Sequence, residues 1–109
     1  MSYGIKIVEK EVFGEKVRIR TLNGGAIAAQ VIELLQQVGH KPGLLPEIGA
    51  LLVVGCLVDA EGRQVFSDPN QARENTALGF LSAFVPVALQ VSGFAEDAEA
   101  IGKNSEAGQ

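Results

Sequence analysis

Ser67-Asp68-Pro69-Asn70-Gln71 leads into the uncharged tract that runs from Asn75 to Ala95, and its reading decides how the second half of the chain is built. Asp68 carries a carboxylate that can accept from the free amides of a first helical turn. Pro69 presets φ for the first helical position, and Gln71 stands where a capping-box partner reaches back. A long helix from Pro69 to Ser92 is predicted. At about 100° per residue, Leu81, Val85, Ala88 and Leu89 share one stripe, while Phe80, Phe84, Val87 and Val91 form a second about 110° around. Pro86 lacks the amide a helix interior needs, so a kink near residues 82–86, or a break into two helices, is expected. Ser92-Gly93 closes the element. Beyond it, residues 95–103 read as a short acidic helix anchored by Phe94 and Ile101, and 104–109 as a frayed tail.

Upstream, Gly4 to Leu22 is dominated by β-branched residues, and Gly14-Glu15 offers a turn between Phe13 and Lys16, which predicts a hairpin. Alternation in Val17-Arg18-Ile19-Arg20 puts Val17 and Ile19 on one face and the two arginines on the other, where they protect a wet face rather than build an anion site. Asn23 reads as the N-cap of a helix beginning near Gly24. On that helix Ile27, Val31, Leu34, Leu35 and Val38 face inward, opposite Gln30, Glu33, Gln36 and Gln37. Gly39 ends it, leaving His40 and Lys41 in a loop before Pro42-Gly43. A helix restarts at Pro46 with Ile48, Leu51 and Leu52 inward. Residues 53–58 fit helix or strand equally, and Asp59-Ala60-Glu61-Gly62 is a turn leading to Gln64-Val65-Phe66. The expected architecture is α+β and mainly helical: an N-terminal hairpin or strand pair followed by about four helices, in one domain over 1–103.

Composition narrows the chemistry. With 109 residues the chain holds one domain, and 47% hydrophobic against 20% charged residues excludes a disordered polymer. A net charge of -4 removes the electrostatic basis for nucleic-acid binding. No export signal is expected, because Lys6, Glu9 and Lys10 interrupt the opening residues. Membrane insertion is not expected either: Ile48 to Val58 is too short, and Thr76, Ser82, Pro86, Gln90 and Ser92 interrupt the longer tract. The single His40 and single Cys56 cannot form a zinc quartet, and an apolar setting suppresses the thiolate a nucleophile needs. Gly24-Gly25 lacks the lysine and hydroxyl of a phosphate loop. Asp59 and Glu61 start like a calcium loop but lack its later ligands. No active site, cofactor or metal is expected. What remains is the second stripe, Phe80, Phe84, Val87 and Val91, which is either a surface for a partner or another copy, or the buried side of a central helix.

The order of several segments resembles the tail assembly chaperones of long-tailed bacteriophages. Val17-Arg18-Ile19-Arg20-Thr21-Leu22 is similar to the family's opening strand. Leu57-Val58-Asp59-Ala60-Glu61-Gly62-Arg63-Gln64-Val65-Phe66-Ser67-Asp68, the long helix, Ser92-Gly93-Phe94 and Lys103-Asn104-Ser105 follow in the family's order. Asn23-Gly24-Gly25 is a less typical helix entry, and residues 38–56 match weakly. The resemblance implies a non-enzymatic scaffold in the host cytoplasm, absent from the finished virion. It would keep the long, apolar, helical tape measure protein soluble and help gather tail tube subunits, in many members through a frameshifted longer form. Self-association is also implied. If the second stripe is surface, Phe84→Asp spares helicity and abolishes client binding. The other readings are a head-tail joining component that stays in the particle, and an enzyme subunit completing a shared site.

Overall fold

The structure is a computed structural model that describes residues 3–37 and 42–94. Strands β1 (Ile7–Val12) and β2 (Glu15–Arg20) pair antiparallel, and the short β3 (Leu57–Val58) adds to the β2 edge, giving the order β1-β2-β3. Helices α1 (Ala26–Leu35), α2 (Leu45–Cys56), α3 (Pro69–Asn75) and α4 (Leu78–Val91) complete the α+β fold, with a 3-10 turn at Pro42–Leu44. Among the described residues no helix is long and apolar enough to cross a membrane.

The hairpin turns at Phe13-Gly14, one residue before the expected Gly14-Glu15. Both central residues have positive φ, 53° and 80°, as the mirror-image type I′ turn needs to match strand twist. Phenylalanine is a poor local choice there. Its ring is seated on the backbone of α4 at Gly79, where a Cβ would meet it at 2.6 Å. That contact is long-range and has no trace in the local pattern. On the outer face, Glu9 lies opposite Arg18 and Glu11 opposite Lys16, so opposite charges face one another across the strand pair. Val17 and Ile19 face the interior, as their spacing predicts, Ile19 buried and Val17 half-buried, and Val12 is buried beside them.

Helix α2 is the centre of the molecule. Every residue from Ile48 to Val54 is buried, which is what a helix apolar on all sides requires. It lies against α1, α3, α4 and the sheet. The ambiguous stretch therefore divides: Val53 to Cys56 finishes α2, and Leu57-Val58 is β3. Three groups meet the carbonyls at its C-terminal end. The Leu57 amide donates to Val53, the Gln64 side chain to Val54 at 2.9 Å, and the Arg20 guanidinium to Gly55 at 3.4 Å. A cation at this pole also complements the helix dipole. Arg18 reaches the Ala60 carbonyl at 3.5 Å, so both arginines tie the strand to the chain around β3.

Asp68 caps α3 as predicted, accepting from the amides of Asn70 (2.8 Å) and Gln71 (3.2 Å). Gln71 reaches back one residue further than a capping box, accepting from the Ser67 amide and hydroxyl. The single long helix is corrected: the chain breaks at Thr76-Ala77, both with extended ψ, well before Pro86. Pro86 remains inside α4. It and Ser82 are half-buried, away from the sealed Leu81-Val85-Leu89 seam, so the missing amide falls outside the packed side. Gly93 has φ +94°, the Phe94 amide donates to Leu89 at 2.8 Å, and that of Gly93 to Gln90 at 3.3 Å. This is a complete Schellman closure.

Asn23 does not cap α1. Its side chain accepts from the Gly25 amide at 3.0 Å, forming a local turn, and Gly25 occupies the N-cap without a side-chain bond. Val31 is buried, while Ile27, Leu34 and Leu35 pack half-buried against the core. The expectations for Val38, Gly39, His40, Lys41 and residues 95–109 lie outside the described residues.

Candidate functional site

Two of the four residues expected on a docking stripe are core. Phe80 is 5% exposed and Phe84 0%, their rings stacked with centroids 5.7 Å apart. Val87 and Val91 are half-buried and packed against the same core. The reason is that α4 is covered twice, by α2 and by the β1-β2 hairpin. A second apolar face on α4 is therefore used inside this chain, and the reading of Phe80, Phe84, Val87 and Val91 as one open strip is corrected.

Tyr3, Ile7 and Ile32 are exposed elsewhere on the chain, while three further exposed apolar residues come from segments near the start of α4. Phe13 is 60% exposed, Leu78 66% and Val65 43%. Between the hairpin tip, β3 and the α3-α4 break lies an open groove of about 530 Å³, lined by Phe13, Val17, Leu57, Val65, Phe66 and Phe80. Asn75, Thr76 and Ala77 also line it, and among the described residues Glu15 is the only ionisable one along it. Leu78 follows directly on Ala77 as the first residue of α4. Four separate segments build this surface, which is why sequence reasoning missed it. The one local clue was a phenylalanine beside Gly14 in a turn, where a polar residue is the usual choice.

The polar candidates are structural. Cys56 is buried, its Sγ 4.0 Å from the Ser92 hydroxyl, and burial pushes the thiol up to about 11, which keeps it protonated and unreactive at neutral pH. The Ser92 hydroxyl accepts from the Leu22 amide at 3.0 Å, joining the end of the sheet to the end of α4. Among the described residues, no three histidine, cysteine or carboxylate side chains gather as a metal site.

Asp59 organises its turn by accepting from the amides of Glu61 (2.8 Å) and Arg63 (3.0 Å). Gly62 supplies the left-handed residue at φ +81°. The Arg63 amide first, then that of Glu61, holds the Asp59 carboxyl below its usual range. A folded-state value below the unfolded one gives stability that is present above the ordinary carboxylate range and lost as pH falls through the lowered value. Asp59→Asn is therefore expected to lower the melting midpoint at neutral pH by a margin that closes on acidification. A margin constant with pH would show that the carboxylate charge contributes nothing.

No protein-family model matches the chain, and neither a curated protein nor a solved structure shows significant similarity to it.

Proposed function

We propose that this protein is a tail assembly chaperone of a long-tailed bacteriophage: a non-enzymatic scaffold that keeps the helical tape measure protein soluble in the host cytoplasm and is left out of the virion. The reading starts from the order of the segments, which here become β2, the β3 turn, the α3-α4 pair and the Ser92-Gly93-Phe94 closure. The observation that carries it is the apolar groove beside Phe13, Val65 and Leu78 on a domain whose core is otherwise closed. A chaperone for a long apolar client needs such a surface, preformed and open. Recruitment of tail tube subunits through a longer form, and self-association along the client, belong to the same proposal.

The test is co-expression with the tape measure protein of a long-tailed phage, sought as the product of a very long reading frame downstream of this gene, together with mass spectrometry of purified virions. The expected result is that the client becomes soluble only with this protein, and that virions lack it. A client equally soluble alone overturns the proposal. Recovery of the protein from virions in stoichiometric amount instead identifies a head-tail joining component.

A further inference from the structure

We infer that the groove takes a single amphipathic helix whose flank is basic, an inference that rests on the chaperone reading for its helical client. Size argues against a second copy of this chain. The open side chains of Phe13, Leu78 and Val65 offer on the order of 300 Å² of apolar surface, below the roughly 450 Å² of apolar area contained in the roughly 800 Å² per partner of a standard interface. The groove, at about 530 Å³, is instead of the size that encloses a compact ligand. It suits the anchor side chains of one helix face, at i, i+3 or i+4, and i+7.

Charge selects the flank. Among the described residues lining the groove Glu15 is the only ionisable one, and Asn75 and Thr76 in the same lining are uncharged. A lysine or arginine beside the apolar face meets Glu15 favourably, whereas a carboxylate there meets a like charge and no cation within the lining. The walls are set in advance. Phe13 is held at φ 53° with its ring on Gly79, so the rim does not have to be ordered when the helix arrives.

The test uses two synthetic helical peptides with the same leucine face, one carrying lysines on its flanks and the other glutamates. Binding is followed by fluorescence anisotropy with the full chain. The lysine peptide is expected to bind more tightly, and Glu15→Gln to reduce that preference about fivefold. Glu33→Gln on α1, away from the groove, should leave it unchanged and so controls for overall charge. Leu78→Ser and Val65→Ser, both at exposed positions, should each weaken the lysine peptide about tenfold with melting midpoints retained. Equal affinity for both peptides, indifference to these variants, or a sedimenting dimer that shields Phe13 and Leu78 would overturn the inference. If Leu78→Ser and Val65→Ser keep the wild-type peptide affinity while the wild type still solubilises the tape measure client, the groove inference fails and the chaperone reading stands. If the wild type binds the peptide but leaves the client insoluble, the reverse holds.

Discussion

Phe84→Asp is expected to abolish the cooperative fold, with loss of the helical circular dichroism signal and no thermal transition. Phe84 has no exposed surface and stacks on Phe80 within the α2-α4 core. Truncating such a ring to alanine costs about 3–5 kcal/mol, and placing a carboxylate without partners in the space left adds a further desolvation penalty. Small domains have about 5–15 kcal/mol in total, so the sum consumes most or all of it. Phe84→Leu should keep the helices and lower the melting midpoint. Retained helicity in Phe84→Asp, with client binding lost, would return this residue to the surface that the periodicity of α4 alone allowed.

The second large effect is expected at Gly49. Alanine is favoured over glycine in a helix interior by about 1 kcal/mol, so Gly49→Ala is stabilising on propensity alone. Packing reverses the sign. A Cβ at this position would stand 2.7 Å from the Leu81 carbonyl carbon, closer to its oxygen, and 3.1 Å from the Leu81 Cα. These are backbone atoms of α4 and have no rotamer to escape into. Separating α2 from α4 disturbs the largest contact in the molecule, and we expect a loss of about 3 kcal/mol or more, read from urea denaturation. Gly24→Ala, with open space around it, should stay within about 0.5 kcal/mol. A neutral or stabilised Gly49→Ala would show that the two helices do not approach this closely.

Features written in adjacent residues were the ones the sequence made legible. The Asp68 cap and the Gly93 closure depend on hydrogen bonds a few positions apart, and both stand where expected. The alternation of Val17 and Ile19 with Arg18 and Arg20 was readable for the same reason. Val53 to Val58 was not, because a β-branched apolar run suits a strand and a fully enclosed helix alike. Nor was the break at Thr76-Ala77 placed correctly: proline at 86 is a strong local signal, yet the turn between α3 and α4 follows how each packs on α2. The fate of Phe80 and Phe84 depended on the same distant helix. The groove drew on the hairpin tip, β3, the Val65-Phe66 segment after it and the start of α4, so no window of sequence contained it.

The seat of the Phe13 ring on Gly79 joins the two ends of the described chain. Local hairpins form early and long-range contacts late, and synthesis delivers the first strands long before α4 leaves the ribosome. A nascent chain therefore has no finished groove until the start of α4, with Gly79 and Phe80, has emerged. A copy cut short before α4 lacks the seat of the Phe13 ring and does not present that surface.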